Sequence, residues 1–204
     1  MKITGIRPYW YLRYKFLNSL FTGLSVGSIF TIYAPLKPSI YSIGGIILAV
    51  GMLVIAKFYE KLITIKKFFY ISLFVEVVIL LLVLLFILKP YTYTTALLIY
   101  SGYQITFMFG SYLLRAETLF LRKKKLLSYV DMFKQAGYLA GLVFSFLFYR
   151  GIEHVFGIQD NQTKVYLLHF LLFFNEAAVI GFLFLSFKRK TSIKSSLSFQ
   201  DEPK

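Results

Sequence analysis

Six apolar stretches divide this chain, each close to the roughly 20 residues a helix needs to cross a bilayer core of about 30 Å. They fall at 16–34, 40–58, 68–88, 95–117, 128–149 and 165–187. Pro35 and Pro38 break the first span from the second, and Pro90 closes the third. In 204 residues, that leaves no room for a separate soluble domain. Hydrophobic residues at 58% and aromatic residues at 20% also exclude an ordinary soluble domain. The sequence predicts an all-α membrane protein of six transmembrane helices. Residues 1–15 read as a cytoplasmic N-terminal segment. Residues 188–204, rich in Ser and Lys, read as a disordered cytoplasmic tail.

Charge orients the bundle. Of 23 Lys and Arg, nineteen lie before the first span, in or around the second and fourth loops, or after the sixth span. Only Lys37, Lys89, Arg150 and Lys164 lie on the other side. The positive-inside rule then places both termini in the cytoplasm, most naturally that of a bacterium with the chain in its inner membrane. A net charge of +14 is thus a topology signal, and no nucleic-acid partner is expected. The bilayer is the first partner, and anionic headgroups add about 1 kcal/mol per basic residue near the surface. Trp10 and several tyrosines, Tyr9, Tyr11, Tyr14, Tyr91, Tyr93 and Tyr149, sit where aromatic belts form. The first fifteen residues are polar and basic and the apolar run after them is long, which does not fit a cleavable signal. The chain contains no cysteine, which removes disulfides and thiolate metal sites, and no cofactor or metal site is expected. Asn161-Gln162-Thr163 forms a glycosylation triplet on the outer side, relevant only in a eukaryotic secretory pathway.

Polar side chains at membrane depth need a reason. On the fourth span Tyr100, Gln104, Ser111, Arg115 and Thr118 recur at helical spacing and form one stripe. Asn18, Thr22 and Ser25 make a shorter stripe on the first. These residues are candidates for a water-filled substrate path, with interhelical hydrogen bonding as the competing reading. Gly23 and Gly27, and the small pairs Ala136/Ala140 and Gly137/Gly141, mark places where helix backbones approach closely. Glu76 in the third span and Glu176 in the sixth are candidate proton carriers, with His169 seven residues before Glu176 on the same face. Arg115, Glu117, Asp131 and Lys134 gather where the fourth and fifth spans meet the cytoplasm, as a salt-bridge network or a gate.

The loop after the second span reads Ala56-Lys57-Phe58-Tyr59-Glu60-Lys61-Leu62-Ile63-Thr64-Ile65-Lys66-Lys67. It resembles the signature loop of the major facilitator superfamily. There a Gly is followed four residues later by Asp-Arg, then by a second Gly and a basic pair. Ala56 stands at the Gly, Glu60 and Lys61 at the Asp-Arg, and Lys66 and Lys67 near the basic pair, two residues late and without the second Gly. Gly137-x-x-x-Gly141 is similar to part of the family's fifth-helix glycine motif, without its proline. The family's fourth-helix Arg is absent from the region of Tyr100 and Gln104, which speaks against proton-driven antiport. The resemblance implies one six-helix half of such a transporter, with the first and fourth helices lining the path. Glu60, Lys61, Lys66 and Lys67 then join Glu117, Asp131 and Lys134 as signature-loop or gate residues. A full transporter of this type has two halves, so the chain is expected to pair with itself as a homodimer or with a second six-helix half.

The leading expectation is therefore a half-size transporter of a small solute, working as a dimer by alternating access. The alternative is a non-transporting membrane subunit that scaffolds or anchors a larger complex. An enzyme is not expected. Ser111 and His169 sit near opposite ends of their helices, roughly 18 Å apart at a rise of about 1.5 Å per residue. That is too far for a nucleophile and its base.

Overall fold

The computed structural model describes residues 2–190. The elements run β1 (Lys2–Ile6), α1 (Pro8–Tyr33), α2 (Pro38–Lys57), α3 (Tyr59–Leu62), α4 (Ile65–Leu88), α5 (Tyr93–Met108), α6 (Gly110–Leu121), α7 (Lys124–Phe156), α8 (Asn161–Ser186) and β2 (Phe187–Lys190). The architecture is all-α apart from one small sheet.

Local chemistry sets the boundaries. Pro8 and Pro38 occupy first-turn positions, where the missing N–H costs nothing. Thr64, Thr92 and Asp160 cap α4, α5 and α8 by accepting from the backbone N–H of Lys67, Thr95 and Thr163. Two hydrogen bonds from Thr163, one backbone and one from its hydroxyl, hold the Asp160 carboxyl below its ordinary 3.8. Gly157 ends α7 with φ of +65°, a left-handed cap that glycine adopts without strain.

Five helices, α1, α2, α4, α7 and α8, are long and apolar enough to cross a membrane. Their surfaces agree with that reading. In α2 only Gly44 is buried, while Ile43, Ile46, Ile47, Val50, Leu53 and Val54 are exposed. A water-facing helix would show the inverse pattern.

The structure departs from the sequence reading in four places. The first helix begins at Pro8 rather than residue 16, because nothing in Tyr9–Lys15 opposes a helix, and the segment before it is a strand. The fourth span is interrupted at Phe109, which separates a 16-residue α5 from a 12-residue α6. The fifth helix runs from Lys124 to Phe156, beyond both ends of the 128–149 prediction, and stops only at Gly157. Of the tail expected to be disordered, 188–190 belong to β2, which starts at Phe187; residues 191–204 lie outside the described part.

β1 and β2 pair antiparallel in the register Lys2↔Lys190, Ile3↔Arg189, Gly5↔Lys188 and Ile6↔Phe187, with a bulge between Ile3 and Gly5. The two ends of the described segment therefore meet. Phe187 anchors the sheet, with its ring edge-on to Phe68 and Phe69 of α4, and all three rings are buried.

Within the bundle α1 is central and packs most extensively on α7 and then α8. The α1–α7 seam is made of glycines. A Cβ at Gly23 would run into the Tyr138 carbonyl, one at Gly137 into the Phe16 carbonyl, and one at Gly141 into the Leu20 carbonyl. Gly23 and Gly141 thus meet across this interface, whereas Gly27 and Ala136 are exposed. Taking α5 and α6 as one rod, the major pairings exchange when the first three long helices are swapped for the last three. The α1–α7 pair maps to α5–α2, α1–α8 maps to α5–α4, and α4–α8 maps to itself.

Candidate functional site

The site is built on one face of α1. Tyr11, Tyr14, Lys15 and Asn18 follow at i, i+3, i+4 and i+7, so their side chains stack along one stripe. That stripe points into the bundle and engages two buried carboxylates in sequence.

The first is Glu117 of α6, whose side chain is 3% exposed. Tyr11 Oη donates to it at 2.7 Å, Lys15 Nζ lies 2.6 Å from Oε2, and Lys134 Nζ of α7 lies 2.5 Å from Oε1. Asp131 adds a longer contact to Lys134 at 3.7 Å from its exposed position. One anion with two cations and a phenol ties α1, α6 and α7 together near the end of the bundle where β1 pairs with β2. Arg115 is not part of this network.

The second carboxylate is Glu76 of α4, 2% exposed. Tyr14 Oη donates to Oε1 at 2.5 Å, and Asn18 Nδ2 reaches Oε1 and Oε2 at 3.1 and 3.2 Å. Glu176 of α8 lies beside Glu76, across the interface between α4 and α8, and is fully buried. Neither oxygen of Glu176 has a hydrogen-bond partner. Its neighbour Asn175 turns the other way and donates to the Leu17 carbonyl of α1 at 3.1 Å.

His169 does not join the pair. Its Nδ1 lies 2.7 Å from the Val165 carbonyl, and its ring stacks on Phe86 with centroids 4.0 Å apart. It lines a crevice with Ser25, Ser28, Tyr33 and Tyr103 that has room for about one water molecule.

The stripe expected on the fourth helix divides. Tyr100 faces α2, donating to the Tyr41 carbonyl at 3.0 Å and packing over Gly44. Gln104 is half-buried, and its Oε1 has no partner. Ser111, Arg115 and Thr118 are exposed and line a surface groove with Tyr59. On α1, Asn18 binds Glu76, Thr22 is exposed and hydrogen-bonds the Asn18 carbonyl, and Ser25 is buried and bonds the Thr22 carbonyl. Both hydroxyl contacts are local back-bonds to the helix, so they take up polarity without reaching a neighbouring helix.

Glu60 and Lys61 lie on α3, and Lys66 and Lys67 on the first turn of α4, all exposed. Lys67 Nζ donates to the Lys61 carbonyl at 2.5 Å, and buried Tyr112 donates to the Leu62 carbonyl at 3.0 Å. The loop is thereby fixed to α6. Among the described residues no three His, Cys, Asp or Glu side chains gather as a metal site would require.

Tyr11, Tyr14 and Lys15 were missed as site residues, since their types fit an aromatic belt and a cationic flank equally well. Their spacing with Asn18 was the available signal. The chain matches no known family model, no curated protein and no solved structure.

Proposed function

We propose that the chain is a six-span, half-size membrane transporter of a small solute, with both termini cytoplasmic in a bacterial inner membrane. It pairs with a second copy, or with a second six-helix half, and works by alternating access. Three observations support the reading. First, β1 pairs with β2, so the two ends of the described segment lie together, which supports an even number of crossings. The five long apolar helices alone cannot satisfy that count. The α5–α6 rod, 29 residues from Tyr93 to Leu121, supplies the sixth crossing, because at about 1.5 Å per residue it spans about 43 Å. Second, the helix pairings exchange between the two three-helix halves, the relation expected of repeats nested within a transporter half.

The third observation carries the functional conclusion. α6 holds Ser111, Arg115 and Thr118 together on one exposed face that lines a surface groove. Against lipid these groups are unfavourable; against a second half they line a polar path. The major facilitator resemblance places the path on the same helix. The test is whether a cysteine on this face traps paired chains in a bilayer and whether blocking it with a hydrophilic thiol reagent stops solute flux in proteoliposomes. Stable single chains with that face unreactive to the reagent would leave the scaffold reading in its place.

A further inference from the structure

Glu76 and Glu176 are a pair of buried carboxyls without enough donors for two anions. Glu76 has Tyr14 and Asn18. Glu176, 0% exposed, has no donor on either oxygen. An unpaired carboxylate in this position would carry the full desolvation cost of a charge, beside a second negative charge. A single proton removes both costs at once. A protonated Glu176 gains a donor of its own, and the neighbouring Glu76 carboxylate can accept from it.

We propose that Glu76 and Glu176 form a proton-binding site at the α1–α4–α8 junction that holds one proton between the two carboxyls. The proton comes from water and leaves to water, so the pair alternates between net charges of −1 and −2. The charged and titratable groups facing it are few. α1 contributes Tyr11, Tyr14 and Lys15, and α5 contributes Tyr103. Glu117 of α6 faces Tyr14 from the other side, but Lys15 and Lys134 already neutralise it. Lys15 therefore stands between the two carboxylate centres on α1. The burial of both carboxyls, the unpartnered oxygens of Glu176 and the packing of α4 on α8 support the site, which stands whether or not the chain transports a solute.

The test is infrared spectroscopy of the full chain in lipid nanodiscs, titrated in H2O and in D2O. Wild type should show one protonated carboxyl band at neutral pH that shifts in D2O. In Glu176→Gln the amide supplies the missing donor, Glu76 needs no proton, and the band should be lost. In Glu76→Gln the band should stay but shift, because its acceptor becomes an amide. Circular dichroism and a monodisperse elution profile confirm that each variant is folded, and either variant suffices if the other is not. A wild-type spectrum with no carboxylic-acid band at neutral pH would overturn the proposal. So would two such bands, or one band unchanged in every folded variant.

Discussion

Glu117→Gln removes one negative charge and almost no volume, so it isolates what the charge does. In the wild type Glu117 receives Lys15, Lys134 and Tyr11, all within 2.7 Å. The substituted amide can still accept from Tyr11, but both charge-assisted contacts lose their anion. Hydrogen bonds to charged groups are worth about 1.5–3 kcal/mol each, and breaking a buried pair costs about 3–5 kcal/mol. Lys15 and Lys134 retain 13% and 23% exposure, and their long stems let the ammonium groups reach water. A discounted cost of about 2–4 kcal/mol follows. For a chain of this length that corresponds to a fall in Tm of roughly 4–16 °C. Thermal unfolding in mild detergent, followed by Trp10 fluorescence, measures it. A double-mutant cycle with Lys15→Met gives the sharper readout, because removing both charges should cost less than the sum of the single changes. A Tm for Glu117→Gln within about 1–2 °C of wild type, well below the shift expected for this chain length, or strict additivity in the cycle, would refute the network as a structural tie.

Two further perturbations follow from the structure. Gly137→Leu or Gly141→Leu places a side chain against the backbone of α1, where only helix separation can relieve it; overpacking of about 1–3 kcal/mol should lower Tm, whereas Gly45→Leu on open surface should leave it near wild type. Asp160 has its carboxyl held below its ordinary value, so its contribution to the α8 cap is present above about pH 4 and lost as pH falls through the folded value. Asp160→Asn keeps a capping oxygen and should remove this pH dependence; melting curves of the two proteins from about pH 6 to about pH 3 should converge on acidification, and parallel curves would count against the cap.

Much of the fold was legible because lipid imposes a simple rule. Helices must be apolar and about 20 residues long, and basic residues mark one side. The interruption at Phe109 was not legible, since neither Phe109 nor Gly110 announces a break inside an apolar run. The end-to-end sheet was also hidden. Ile3 and Phe187 look like ordinary flanking residues until the termini are brought together over Phe68 and Phe69. Within the site, Glu76 and Glu176 stood out from sequence as expensive residues at membrane depth, but nothing in the chain order says they are neighbours. That adjacency arises because α4 packs on α8. His169 shares a helical face with Glu176 by spacing, yet seven residues lift it about 10 Å along α8, into a different set of neighbours. Tyr14 illustrates the reverse case, an aromatic whose hydroxyl matters more than its ring.

Pairing through the exposed face of α6 is the central claim, and the absence of cysteine in the wild-type chain makes it directly measurable. Ser111→Cys and, separately, Phe174→Cys on the exposed apolar surface of α8 are to be reconstituted in bilayers at low protein density and treated with a short bifunctional thiol cross-linker. The account predicts a covalent dimer, with itself or a second six-helix chain, from the Ser111→Cys protein and none from the Phe174→Cys protein. Monomers from both, with the cysteine introduced on α6 labelled only by lipid-soluble reagents, would contradict it.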